Sequence, residues 1–135
     1  MNVAASLDTN VLVRLVVNDD TLQHAAVRKM LSQHIRRAQA LFVPITVVLE
    51  LEWVLRSCYK FGKPAILNVL SSLLQTVELV FESENAVEQA LITFEEEAAD
   101  FADCLHLALA RTAFALPFLT FDSKASNQLG AKLLK

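Results

Sequence analysis

The chain of 135 residues has little of what marks disordered, secreted or membrane-spanning proteins. It contains only two glycines and three prolines while 54% of its residues are apolar, which excludes a disordered or low-complexity protein. Its longest stretches without charge, residues 38–49 and 64–77, are shorter than the roughly 18 residues that a membrane span requires. No basic and then apolar leader opens the chain. We therefore expect one soluble, cytoplasmic domain over residues 1–135, part of whose apolar surface is covered by a partner chain.

Cysteine and histidine are also sparse, and their spacing argues against two kinds of site. Cys58 and Cys104 form no C-x-x-C motif and have no pair of nearby histidines, so a zinc site is not expected. His24, His34 and His106 stand alone in helical patterns, and no serine or cysteine has a recognisable nucleophile setting. Both cysteines are expected to be small buried hydrophobic residues.

The net charge of −3 is divided unevenly along the chain. Residues 1–64 hold five acids and eight bases, whereas residues 65–135 hold ten acids and four bases. The bases of the first half recur along helical segments, which fits either a solvated helix face or a surface that steers phosphates. Seven of the eight bases form this pattern: Arg28, Lys29, Arg36, Arg37, Arg56, Lys60 and Lys63.

Short apolar runs alternate with longer helical patterns, which predicts five strands and seven helices. Because the strands are almost entirely apolar, we expect a mostly parallel sheet covered by helices on both faces, an α/β sandwich. The Asp19-Asp20-Thr21 segment and Thr46 are expected to cap helices. The predicted strands are residues 3–7, 41–43, 78–81, 117–121 and 131–134; the predicted helices are 11–17, 22–37, 46–59, 65–75, 85–97, 102–115 and a short turn after 122.

Four acidic residues lie inside or at the end of apolar runs, where the sequence otherwise avoids charge. Asp8 and Asp122 directly follow predicted strands, Glu50 lies one turn into a helix, and Asp103 lies near the start of another. Ligands of open parallel sheets bind beyond the carboxyl ends of the strands, so we expect these side chains to share one cleft. An ionised carboxylate in apolar surroundings is costly unless it is paired or binds a metal.

Two neighbouring acids compete with the members of this set. Glu52 lies two residues after Glu50 and must point elsewhere, and Glu50 is chosen because Trp53 and Val54 share its side of the helix. Asp100 lies three residues before Asp103, so both residues fit one helix face. Asp100 is either a metal ligand or the N-cap of its helix.

Electrostatic repulsion makes a metal the expected occupant of such a cleft. Two carboxylates about 5 Å apart repel by roughly 3 kcal/mol at an effective dielectric constant near 20. Magnesium or manganese relieves this repulsion, and hard oxygen ligands suit these ions better than zinc. The natural reaction of such a centre is the hydrolysis of a phosphodiester.

Four segments, in this order and at domain-wide spacing, resemble the successive motifs of the PIN-domain family, and most of all its VapC toxin branch. The resemblance covers nearly the whole chain. The segments are residues 7–12 (LDTNVL), 49–56 (LELEWVLR), 99–106 (ADFADCLH) and 119–122 (LTFD).

The resemblance implies a magnesium- or manganese-dependent endoribonuclease that acts as the toxin of a toxin–antitoxin pair. It also implies a parallel sheet of four or five strands between helices, frequent homodimerisation, and a VapB-type antitoxin that covers the cleft with a basic side chain near the carboxylates. Carried over by position, the acidic quartet is Asp8, Glu50, Asp103 and Asp122, with Asp100 as an auxiliary ligand. Asn10 and Thr120 would orient a carboxylate or a water molecule.

The chain departs from the family pattern at one place. Many relatives carry another acid shortly after the position of Asp122, where this chain has Ser123 and Lys124. Whether the site holds one metal or two is therefore left open, and Lys124 is either a contact for a substrate phosphate or a solvated lysine. The alternative function is a non-catalytic module that binds RNA or a protein.

Overall fold

The structure is a computed structural model that describes residues 2–135. Within this range, five strands alternate with seven helices, as the sequence predicts. In chain order they are β1 (Asn2–Ser6), α1 (Thr9–Val16), α2 (Thr21–Arg36), β2 (Gln39–Val43), α3 (Ile45–Ser57), α4 (Lys63–Leu74), β3 (Leu79–Phe81), α5 (Glu84–Glu96), α6 (Phe101–Thr112), β4 (Phe118–Thr120), α7 (Ser123–Ser126) and β5 (Ala131–Leu133).

The chain divides into two compact units, an N-terminal unit that ends at Glu82 and a C-terminal unit that begins at Ser83. In the N-terminal unit, β1, β2 and β3 form a parallel sheet in that order, with Val3 opposite Ala40 and Leu41 opposite Leu79. In the C-terminal unit, β4 and β5 form a parallel pair. The expected α/β fold with parallel strands is confirmed, although the strands form a sheet of three and a pair where one sheet of four or five strands is expected.

The core of the N-terminal unit is built on β2, the middle strand of its sheet. Ala40, Leu41 and Val43 are buried, because an apolar run without alternation suits a strand that is covered on both faces. The outer strand β1 differs from the prediction of a buried strand. Its residues are exposed, including Val3, and only Leu7 at its end is buried.

The core of the C-terminal unit lies between α5 and α6. The rings of Phe94 and Phe101 meet edge to face, with their centroids 5.6 Å apart, a favoured arrangement of aromatic side chains. Gly130 has a φ of 97°, which a side chain would strain, and it turns the chain into β5. Asp122 lies between β4 and α7, two residues after the end of the strand.

The helix ends confirm one predicted cap and correct another. The Asp20 carboxylate accepts a hydrogen bond from the Gln23 amide at 3.0 Å and caps α2. Thr46 does not cap α3, because the helix begins one residue earlier, after Pro44. A proline fixes its own φ near the value needed before a helix, and so it takes the cap position here.

Among the helices of the described residues, none is long and apolar enough to cross a membrane.

Candidate functional site

The first predicted site residue, Asp8, stands at the exit of β1. The amide of Leu7 donates to the carbonyl of Phe42 at 2.9 Å, which continues the pairing of β1 with β2 up to this point. Asp8 is the N-cap of α1, and its Oδ1 accepts a hydrogen bond from the amide of Thr9 at 2.7 Å. The positive end of the α1 dipole thus faces an acidic side chain.

Glu50 of α3 reaches the same segment of the N-terminal unit. The hydroxyl of Thr9 donates to Glu50 Oε1, across 41 positions of sequence. Thr9 is buried, with 3% of its surface exposed, whereas Glu50 is exposed. The structure therefore brings two of the four predicted acids, Asp8 and Glu50, to one threonine.

Glu52 has a different environment, as the helical spacing predicts. It is 3% exposed, and its carboxylate accepts hydrogen bonds from Arg56 Nε at 2.9 Å and from Nη2 at 3.4 Å. A buried carboxylate requires such a partner. Glu52 thus belongs to the packing of α3, and Glu50 is the acid of this pair that is accessible to a ligand.

The other predicted acids lie in the C-terminal unit, at the ends of elements. Asp100 holds the N-cap position of α6 without a capping hydrogen bond from its side chain, and Asp103 lies in the first turn. Asp122 follows β4 and caps α7, accepting from the Ala125 amide at 2.9 Å. The hydroxyl of Thr120 accepts from the Asp122 amide at 3.0 Å and so fixes the backbone of that residue.

Electrostatics links the three acids of the C-terminal unit. Burial raises the pKa of Asp103 above its ordinary range, and the negative charges of Asp122 and Asp100 raise it further. The imidazole of His106, one turn along α6, acts in the opposite direction on the pKa of Asp103. Asp100 and Asp122 each therefore lie within electrostatic reach of Asp103.

The exposure of the acids corrects the reason for which the sequence singles them out. Asp8, Glu50 and Asp122 are exposed, and only Asp103 is half-buried. Apolar neighbours in sequence did not bury the first three, because each lies where a strand ends or on the open side of a helix. The argument that a carboxylate in apolar surroundings requires a partner therefore applies only to Asp103 and Glu52 among these acids.

The donor set fits a hard divalent cation by its chemistry. Each of the five acids offers carboxylate oxygens. In the C-terminal unit, burial raises the pKa of Asp103 and the charges of Asp122 and Asp100 raise it further, and a bound cation would relieve that repulsion. Over residues 2–135, however, no group of three or more Asp, Glu, His or Cys side chains stands close enough together to hold an ion. The capping hydrogen bonds of Asp8 and Asp122 each occupy one carboxylate oxygen, Oδ1.

Two residues near the acids were missed by sequence reasoning. Thr9 was not singled out, although a threonine at the first helical position, three and four residues before the buried Leu12 and Val13, signals a polar group that faces the core. His106 was assigned no role, yet it lies near Asp103, and its ring is tilted against Phe118 with centroids 6.1 Å apart.

The remaining cysteine and histidine predictions divide. Cys104 is buried, as expected, but Cys58 is exposed because α3 ends at Ser57, directly before it. His24 and His34 have structural partners: their Nδ1 atoms lie 2.6 Å from the Arg14 carbonyl and 2.8 Å from Gln39 Oε1.

The chain belongs to the PIN domain family, since the model of this family matches residues 5–128. All four motifs that carry the resemblance overlap the matched range. Among solved structures, the chain is similar to VapC20 of Mycobacterium tuberculosis, described as a toxin that cleaves the sarcin–ricin loop. The sequence identity is 17% and the TM-score 0.42, over 92% of this chain and 94% of VapC20. No curated protein matches the chain significantly.

Proposed function

We propose that the protein is a metal-dependent endoribonuclease of the VapC type, the toxin of a toxin–antitoxin pair. The observation that carries this proposal is an acidic group in a chain of the PIN domain family. It consists of Asp103 in the first turn of α6, Asp100 at the N-cap of that helix, and Asp122 after β4. Such a group is costly to assemble. A purely structural role does not explain why Asp103 lies near the negative charges of Asp100 and Asp122.

We assign the roles by the positions of the family's motifs in this sequence. Asp8, Asp103 and Asp122 would hold Mg²⁺ or Mn²⁺, with Asp100 as an auxiliary ligand, and Glu50 would complete the acidic quartet. When bound, the ion would supply Lewis acidity for phosphodiester hydrolysis.

The other residues of the site would position these acids or the substrate. The Thr120 hydroxyl already holds the backbone of Asp122, which limits the directions in which that carboxylate points. Asn10, exposed on the first turn of α1, would orient a water molecule or a carboxylate, and the exposed Lys124 would contact a substrate phosphate.

The test is cleavage of total cellular RNA by the purified chain, freed of any partner, in Mg²⁺ or Mn²⁺. Asp8→Asn and Asp103→Asn are expected to abolish cleavage while circular dichroism shows an intact fold. Glu88→Gln, a change of one exposed acid on α5, is the matched control and should cleave like the wild type. If the wild-type protein leaves RNA intact in both metals yet still inhibits growth, the proposal fails.

A non-catalytic binding module is the second candidate. It is favoured by the absence of a three-ligand group among residues 2–135. In that case, Asp8→Asn and Asp103→Asn would leave growth inhibition unchanged, whereas a nuclease requires both carboxylates. Mapping of RNA 5′ ends in cells that express the wild type or Asp8→Asn distinguishes the two candidates directly.

The proposed partner is a small VapB-type antitoxin. The N-terminal unit contains a groove of about 440 Å³ between α1, α2 and α4, with Leu15, Leu31 and Val69 among its lining residues. The adjoining helix α2 has no buried residue and no acidic residue. An amphipathic segment with an acidic rim therefore complements this groove by shape and by charge. A basic side chain of the same partner would neutralise the carboxylates.

The partner proposal is tested with the product of a small open reading frame upstream of the gene. Val69→Lys is expected to weaken its binding in a titration, because a lysine in the groove removes the apolar contact of Val69 and places a charge without a partner in an apolar surrounding. Ile92→Lys, at an exposed apolar residue of α5, is the control.

Light scattering of the free chain tests the proposed homodimer.

A further inference from the structure

We propose that Thr9 is a positioning residue that sets the separation and direction of the Asp8 and Glu50 carboxylates. This inference rests on the proposed nuclease function and deepens it. Thr9 uses both of its hydrogen-bond donors on these two acids: the amide donates to Asp8 Oδ1 at 2.7 Å, and the hydroxyl donates to Glu50 Oε1.

The direction of the Asp8 side chain is the first sign of this role. The side chain of an N-cap residue commonly accepts from the second or third amide of its helix. Asp8 instead accepts from the first, that of Thr9. The Asp8 carboxylate is thereby held against the residue that also binds Glu50.

The second sign is the chemistry of the position. Thr9 is 3% exposed, where valine would fill nearly the same volume without the need to satisfy a hydroxyl group. The hydroxyl donates to Glu50, whose long side chain is otherwise exposed and free to rotate. A hydrogen bond to an ionised carboxylate is stronger than one between neutral groups, so it restricts these rotamers.

The Thr9–Glu50 bond is not required to join α1 to α3. The two helices already pack through fully apolar side chains, with Leu12 and Val13 buried on α1 and Val48 and Leu51 buried on α3. Loss of one hydroxyl therefore leaves the helix contact in place. The bond acts on the direction of Glu50 more than on the fold.

The test compares Thr9→Val, Thr9→Ser and Glu50→Ala in single-turnover RNA cleavage across a Mn²⁺ titration, with Mn²⁺ binding measured separately by calorimetry. Thr9→Val is expected to reduce the cleavage rate or the Mn²⁺ affinity by about 10- to 100-fold, the usual effect of removing a group that orients a ligand. Thr9→Ser keeps the hydroxyl and should recover most of the loss. Thr93→Val removes a hydroxyl that bonds the Gln89 carbonyl within α5, and as the matched control should have no effect on either readout.

A double-mutant cycle shows whether Thr9 acts through Glu50. In the Glu50→Ala background, which removes the acceptor oxygen that a glutamine would keep, Thr9→Val should add little to the loss, because the two residues act as one unit. An equal loss in both backgrounds, or a Thr9→Val protein that cleaves and binds Mn²⁺ like the wild type, overturns the inference and leaves the nuclease proposal standing. A wild-type protein that neither cleaves RNA nor binds Mn²⁺ overturns both. Should Thr9→Val not fold, Thr9→Ala enters the same cycle.

Discussion

The two units of the chain hold their acidic residues in opposite ways. In the N-terminal unit, Asp8 and Glu50 each accept a hydrogen bond from Thr9. In the C-terminal unit, Asp103 is half-buried, and burial raises its pKa, with a further rise from the negative charges of Asp122 and Asp100. One unit positions its carboxylates with donors, and the other assembles carboxylates that repel one another. We therefore expect that neutralising Asp103 removes a destabilising charge from the metal-free protein, whereas Asp8 and Glu50 are charges that hydrogen-bond donors already hold in place.

The largest expected effect concerns Asp103. Asp103→Asn should reduce RNA cleavage by at least about 100-fold, because a ligand of the proposed metal is lost. The same change should raise the melting temperature of the metal-free protein, since it removes a half-buried charge and its repulsion from Asp122. Cleavage assays and calorimetry in EDTA check the two parts. A lower melting temperature would contradict the repulsion in the C-terminal unit.

The next effect separates two neighbouring acids of α3. Glu50→Gln should impair cleavage by about 10-fold or more with little change in the free energy of unfolding, because Glu50 is exposed. Glu52→Gln should do the reverse and cost about 1–2 kcal/mol of stability, because its buried carboxylate is paired with Arg56. Urea denaturation and cleavage assays on both variants are the measurements. If the two variants changed cleavage and stability to the same extent, the proposed difference in role between Glu50 and Glu52 would be wrong.

The pH dependence of stability tests the repulsion without mutation of Asp103. Its pKa in the folded state lies above the unfolded value, so the folded protein binds more protons between the two values. In metal-free protein, the contribution of Asp103 to stability therefore increases as the pH falls through this window. Asp122→Asn should narrow the pH range between the unfolded and folded pKa values of Asp103, because one of the charges that raise the folded value is removed. Melting temperatures at a series of acidic pH values give the result.

The smallest effect belongs to a surface network of the N-terminal unit. A hydrogen bond from Tyr59 at 2.8 Å, together with the nearby Arg14, holds the pKa of Asp19 below its ordinary range against the opposite effect of desolvation. This contribution to stability is present above the unfolded pKa and is lost as the pH falls through the folded value. Tyr59→Phe should move the pKa of Asp19 upwards, as NMR titration would show. Because the network is exposed, only a small change in melting temperature is expected.

The sequence predicted the order and type of all five strands and seven helices, with ends within about two residues of those observed for most elements. This follows from apolar periodicity and local helix signals, which act over a few residues. The capping role of Asp20 was predicted in this way. Where two local signals competed, as at Pro44 and Thr46, the outcome depended on where the chain left β2.

The candidate site was predicted less completely, and the reason is distance along the chain. Spacing showed that Glu50 and Glu52 point in different directions on their helix. The apolar packing expected of Trp53 beside Glu50 was wrong, because Trp53 is 53% exposed. The contact of Thr9 with Glu50 joins residues 41 positions apart and has no counterpart in local sequence. The exposure of β1 was likewise missed, because an apolar run predicts a strand but does not show which other elements pack against it.

The sequence by itself determined the secondary structure, the family of the chain and the acidic residues that belong together by motif. Only the tertiary structure decided which of these acids are exposed, which are held by donors and which repel one another. Composition and periodicity report what each residue prefers on average. The pKa of a carboxylate and its direction depend instead on the few groups within several ångströms of it, and the fold alone brings those groups together.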